Sequence, residues 1–193
     1  MRKEKTNRAA KYMVIFMATI MVLSVFGVVF FGYNQSPDKV KYNGIPFTRK
    51  GSQWSATINS KEAFFDYFPA EVENINISKD IVSRLSNKAE IDATYSYNAT
   101  FAEDMALAVY GLSQALALHF GTYVRAGFTE KTSYKAPIIT CANSTAFVPV
   151  IYFKSSNETS IYTQDSCIII ESGKGTDFIR IKDRLLYALF GII

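Results

Sequence analysis

The hydrophobic pattern divides the chain into two unequal parts. Tyr12–Tyr33 (YMVIFMATIMVLSVFGVVFFGY) runs 22 residues without a charge, and at 1.5 Å per residue a helix of that length crosses the roughly 30 Å hydrocarbon layer of a bilayer. Aromatic rings mark its ends, Tyr12 on one side and Phe30, Phe31 and Tyr33 on the other, as suits the membrane interface. No small-residue cleavage site closes the run at Val28-Val29-Phe30-Phe31-Gly32-Tyr33, so a retained anchor is preferred to a removed signal peptide. Residues 34–39 (NQSPDK) form a polar hinge, and residues 40–193 read as one domain without repeats or low-complexity tracts.

Beyond the hinge, strand-like and helical periodicities alternate. Val40–Thr48 and Gln53–Ile58 flank the turn Arg49-Lys50-Gly51-Ser52 and predict a hairpin. Lys61–Phe68 is a short amphipathic piece stopped by Pro69, and Glu71–Ile77 predicts a strand. Ser78 caps a short helix over Lys79–Asn87, and Glu90–Tyr97 predicts a strand with one wet face. The strongest helical signal is Ala102–Phe120. There Met105, Ala108, Val109, Leu112, Leu116 and His119 recur at helical spacing, with Glu103 and Asp104 in the first turn, where the dipole favours anions. Met105–Val124 carries no formal charge, but Ser113, Gln114 and His119 argue against a second membrane crossing, and a central helix covering a sheet explains the run.

Short strands are then predicted at Thr122–Phe128, Ile138–Cys141, Ala146–Phe153, Ser160–Thr163 and Cys167–Glu171, the stretch from Cys141 to Glu171 forming a meander. Pro149 assigns its strand to an edge or a bulge. A last helix runs to Phe190 with Thr176 as N-cap; Gly191 ends it and Ile192-Ile193 pack back. The fold class is α+β: an N-terminal transmembrane helix, then one extracytoplasmic domain with a mixed, mainly antiparallel sheet and helices mostly on one face.

Charge adds a direction. The net charge is +4, and all of it lies in residues 1–11, where Arg2, Lys3, Lys5, Arg8 and Lys11 oppose Glu4; the rest of the chain holds 16 cations and 16 anions. A neutral domain offers no basic run for phosphates, so no nucleic-acid partner is expected. The basic segment 1–11 marks the cytoplasmic side of the span, which puts the domain on the outer face of the cell membrane, with the lipid bilayer itself as the partner of residues 12–33.

Two further features agree with that side. Five sequons follow the span, at Asn34, Asn76, Asn98, Asn143 and Asn157, candidates for glycosylation, although a chain rich in Asn, Ser and Thr also makes sequons by chance. The two cysteines, Cys141 and Cys167, read outside the cytoplasm as one disulfide closing a loop of 26 residues, worth roughly 3 kcal/mol by chain entropy. Two buried thiols are the alternative.

Catalytic motifs are scarce. His119 is the one histidine, which excludes multi-histidine metal sites and leaves any Ser-His-Asp arrangement resting on a helix-face residue. Gly173-Lys174-Gly175-Thr176 lacks the spacing of a phosphate loop. No catalytic residue, metal or cofactor is assigned. Arg180, Lys182, Asp183 and Arg184 form a charged face on the last helix, either solvated or used to dock a partner. Trp54 is a core residue in preference to a headgroup contact.

The segments Ile139-Thr140-Cys141-Ala142-Asn143, Val148-Pro149-Val150-Ile151, Cys167-Ile168-Ile169-Ile170 and Asp183-Arg184-Leu185-Leu186-Tyr187 with Gly191-Ile192 resemble a family of small, single-anchor archaeal membrane proteins of unknown function. The resemblance covers residues 137–193 and the anchor-and-hairpin start. It implies the outer face of an archaeal membrane and carries over no functional residue. The expected role is a non-enzymatic binding or accessory subunit of a cell-envelope assembly, with an envelope protein as partner. The alternatives are an extracytoplasmic enzyme with an unrecognised carboxylate or hydroxyl site, using an acid such as Glu103 or Asp92, and a thiol-redox protein cycling Cys141 and Cys167.

Overall fold

The structure is a computed structural model that describes residues 8–32, with side chains from Lys11 to Phe26, and residues 38–193. It divides into two units, Met1–Asp38 and Lys39–Ile193. The first contains helix α1 (Arg8–Gly32), whose described side chains are all exposed. Among the described residues no helix is long and apolar enough to cross a membrane. Of the expected 12–33 segment, the side chains beyond Phe26 lie outside the described residues, as do Tyr33 and most of the expected hinge.

The second unit is α+β and holds two sheets where one was expected. The first sheet is an antiparallel meander of β1 (Lys39–Tyr42), β2 (Ile45–Lys50), β3 (Gln53–Ile58) and β4 (Lys61–Phe65), paired in chain order. The predicted first strand is in fact two, broken at Asn43-Gly44, where both residues have positive φ, as a two-residue hairpin on right-twisted strands requires. Asn59-Ser60 makes the next such turn. The amphipathic piece after Lys61 is the strand β4, and the strand predicted at Glu71–Ile77 is replaced by a helical turn, α2 (Pro69–Val72), followed by irregular chain. Proline at the first helical position explains that start. Helix α3 (Lys79–Leu85) is capped as expected, Ser78 Oγ accepting from the Ile81 N–H.

The second sheet comprises β5 (Glu90–Tyr95), β6 (Tyr123–Phe128), β7 (Val150–Ser155), β8 (Ser160–Gln164) and β9 (Cys167–Ser172), in the order β6-β5-β7-β9-β8. Three of its four ladders are parallel and only β8–β9 is antiparallel. The expectation of mainly antiparallel pairing therefore fails for this sheet, and so does the Cys141–Glu171 meander. β7 skips β8 to pair with β9, and Cys141 lies in a 3-10 turn, Cys141–Asn143. β5 is an interior strand and has no wet face, and Pro149 immediately precedes the central strand β7, its carbonyl accepting from the Asp92 N–H.

Helix α4 (Ala102–Phe120) connects β5 to its parallel neighbour β6, and α5 (Gly175–Leu189) follows β9. Both pack on the sheet face made by Ile91, Ala93, Ile151, Phe153, Ile168 and Ile170. α5 also lies under the first sheet, where Tyr187 stacks on Phe65 with ring centres 4.2 Å apart. Trp54 belongs to this core, its ring 4.9 Å from that of Phe68. The opposite face is covered by a loop instead of a helix: Ile139 packs there against Val150, Cys167 and Ile169, next to a disulfide between Cys141 and Cys167. α5 begins at Gly175 without a side-chain cap, so Thr176 is inside the helix, and Ile192 is buried as expected.

Candidate functional site

The described domain has an open groove of about 800 Å³ bordered by β4, α4 and α5, a volume in the usual range for ligand sites. Six consecutive residues, Glu62 to Tyr67, line one wall. Successive side chains of a strand point to opposite faces, so such a continuous wall is the backbone edge of β4 and its extension. That edge pairs with no strand among the described residues, because β4 is the last strand of its sheet.

The opposite wall is α4. Its inner stripe of Met105, Ala108, Val109, Leu112 and Leu116 is buried against the sheet, as periodicity predicts. Its outer stripe is also apolar: Leu107, Tyr110 and Leu118 line the groove with 59%, 63% and 54% of their surfaces exposed, and Phe64 on β4 adds 45%. The charge-free run from Met105 to Val124 was the signal for this second face. Asp104, Gln114 and His119 interrupt this face, but its exposed Leu107, Tyr110 and Leu118 form an apolar patch of the kind that marks a binding surface.

Charges converge on the groove floor. Lys182 is buried, its Nζ lying 2.7 Å from both Asp66 Oδ2 and Asp183 Oδ1. The Asp183 contact is an ion pair without good hydrogen-bond angles, whereas Asp183 Oδ2 accepts from the Asp66 and Tyr67 N–H groups at 2.8 Å each. Gln53 donates to Asp66 Oδ1 at 2.9 Å. The Lys182 stem passes α4 at Gly111, where a Cβ would stand 3.2 Å from Lys182 Cδ. Burial pushes the Asp183 carboxyl up to about 6 against the opposing pull of the Lys182 charge. Burial acts the same way on Asp66, but hydrogen bonds from Lys182 and Gln53 outweigh it and hold Asp66 below the usual carboxylate range. Lys182 itself is depressed by burial and raised more by Asp183 and Asp66, ending above its ordinary value.

The charged face expected at Arg180, Lys182, Asp183 and Arg184 is thus not a solvated surface. Lys182 and Asp183 are internal. Arg180 donates to the Glu71 carbonyl and to Asp177, and Arg184 to the carbonyls of Ile75 and Ile193, fastening irregular segments that lack their own ladder. α5 is wedged between α4 and the first sheet, so its polar positions point into the domain.

At one end of the groove Lys61 donates to the Leu118 carbonyl at 2.7 Å, tying β4 to α4. His119 sits beside it, edge-on to Phe190 and hydrogen-bonded to the Glu62 backbone; burial and the Lys61 charge lower its pKa and outweigh that bond. At the other end Asp104 lies against the first turn of α5, where the dipole favours an anion. Among the described residues Asp104 accepts no hydrogen bond and meets no cation.

Other polar clusters are closed. Asp92 is buried under a bidentate Arg125 at 2.7 and 2.8 Å on the sheet face away from the helices, and Glu103 is exposed; neither lines the groove. Thr159, Ser172 and Asp177 hydrogen-bond to one another where β9 enters α5, with Ser172 fully buried. Among the described residues no group of three or more His, Cys, Asp or Glu is disposed to hold a metal ion. Asn76, Asn98, Asn143 and Asn157 are all exposed, and Asn34 lies outside the described residues. No known protein family, curated protein or solved structure matches the chain.

Proposed function

We infer that the protein is a membrane-anchored binding subunit whose outer domain engages a cell-envelope partner through the β4–α4 groove. The observation that carries this reading is the exposed apolar wall of the groove, Leu107, Tyr110 and Leu118 on α4 with Phe64 on β4. Leaving that surface bare costs free energy in water, and covering it in a complex recovers it at roughly 25 cal/mol per Å² of apolar area. The groove brings together no nucleophile and general base, which favours binding over catalysis.

The uncharged 12–33 segment supplies the anchor, its exposed apolar side chains in α1 meeting lipid, with residues 1–11 on the cytoplasmic side. The Cys141–Cys167 disulfide supports an oxidising, extracytoplasmic setting. In that setting the exposed Asn76, Asn98, Asn143 and Asn157 are glycan acceptors.

A photo-crosslinking residue placed at Tyr110 of the full chain in its native cells tests both halves. The expected result is one adduct of discrete mass in a carbonate-resistant membrane fraction, and none from the same residue placed at the exposed Ser83 of α3. Absence of adducts from positions 107, 110 and 118 alike removes the groove as a binding site. Release of the chain by carbonate removes the anchor.

A further inference from the structure

We propose that the partner seated at the groove is a second copy of this chain, the two α4 helices packing antiparallel about a two-fold axis level with Leu112. This rests on the groove being the binding site and names its occupant. Along the outer side of α4 the exposed residues Glu103, Leu107, Tyr110, Gln114 and Ala117 recur at intervals of four, three, four and three, the 3.5-residue repeat of a seam between two helices. Met105, Ala108, Val109, Leu112 and Leu116 face the sheet, so this second seam is left uncovered by the described residues, with Phe64 of β4 at its side. Antiparallel pairing level with Leu112 sets Leu107 of each copy on Ala117 of the other, large against small, and Tyr110 on Gln114, phenol against amide.

Charge selects both the orientation and the occupant. The first turn of α4 carries Glu103 and Asp104, and among the described residues neither meets a cation. At the last turn stands Lys61, which is exposed, donates to the Leu118 carbonyl and pairs with no carboxylate among the described residues. An ammonium has three donors, so two remain. Between these ends, residues 105–118 hold no Asp, Glu, Lys or Arg. The helix rises about 21 Å from Asp104 to Leu118, and a two-fold axis near its middle lays the acidic end of each copy on the Lys61 end of the other. Both ends are then matched at once, whereas a parallel pair would set acid on acid. Opposed helix dipoles favour the same arrangement. A face acidic at one end, basic at the other and apolar between them is complementary to itself under a two-fold rotation, as an isologous dimer requires.

The test is sedimentation equilibrium of the full chain in density-matched detergent micelles, with two charge variants. Lys61→Glu sets acid opposite acid, and Glu103→Lys combined with Asp104→Asn sets cation opposite cation, so each variant alone should dimerise roughly tenfold more weakly than the parent. Mixed, the two variants match at both ends and should form a heterodimer of the parent's affinity, which damage to the fold of either cannot produce. The proposal is overturned by a parent chain that stays monomeric at every protein concentration, or by a dimer that either variant leaves as tight as the parent's, as contact through α1 would. It is also overturned by a mixture that stays monomeric while both variants melt with the parent. The photo-adduct from Tyr110 reads the occupant without any charge variant. An adduct of twice the chain's mass supports the second copy, and one of any other mass removes it and leaves the groove a binding site. Absence of adducts from positions 107, 110 and 118 removes the two together.

Discussion

Replacing Lys182 by Met isolates the electrostatics of the groove floor. Methionine keeps the unbranched stem that runs past Gly111 but removes the ammonium held between Asp66 and Asp183. Asp183 is fully buried and then has no cation, and breaking such a pair costs about 3–5 kcal/mol. The sign with pH follows from linkage. Asp183 already titrates at about 6 in the folded chain against about 3.9 unfolded, so its contribution is present below pH 4 and is lost as pH rises through 6. The loss is about 3 kcal/mol. Each unit by which removal of the ammonium raises Asp183 further moves the loss upward in pH and adds about 1.4 kcal/mol.

Urea unfolding of the full chain in micelles, followed by Trp54 fluorescence at pH 5 and pH 8, measures the difference. The variant should lose at least about 1.4 kcal/mol more than the parent between the two values. Asp66 loses the Lys182 hydrogen bond that holds it down, so burial moves its titration upward as well and adds to the loss in the same direction. A variant with the parent's pH dependence, or within about 0.5 kcal/mol of it at pH 8, would refute the buried-pair reasoning.

Other perturbations test separate parts of the fold. Replacing Cys141 and Cys167 together by Ser opens a 26-residue loop and should lower unfolding free energy by roughly 3 kcal/mol; equal urea midpoints for the two chains would contradict this. Gly175→Ala places a methyl 2.1 Å from Asp104 Oδ2, the end of a half-buried side chain that can rotate away, and should cost no more than about 1 kcal/mol. The added substitution Asp104→Ala should return most of it, so additive losses in the double-mutant cycle would disprove the contact. Thr94→Val deletes the buried hydroxyl that donates to the Ile139 carbonyl at 2.8 Å, with an expected loss of about 1–3 kcal/mol and faster hydrogen exchange in the loop around Ile139. Unchanged exchange there would show that the loop is held by other contacts.

Much of the fold was legible along the chain. The bounds of α4 were readable to the residue because its buried stripe, acidic first turn and the glycine after Phe120 agree. The Ser78 cap fixed the start of α3. Asn43-Gly44 is equally legible as a hairpin turn, but the β-rich residues on both sides of it give no local sign of a break. The Glu71–Ile77 strand failed because alternation over a few residues is a weak signal beside a proline that starts a helical turn. Of the groove, only the uncharged stretch of α4 was visible in advance.

What local periodicity determined by itself is where segments are helical or extended and which of their faces are apolar, since that information lies within a few residues. Pairing is a different matter. That β7 bypasses β8 to join β9, that Lys182 and Asp183 turn inward, and that the edge of β4 stands opposite Leu107, Tyr110 and Leu118 were decided only by tertiary packing. Each depends on residues far apart in the chain meeting across α5, and no window along the sequence contains both partners.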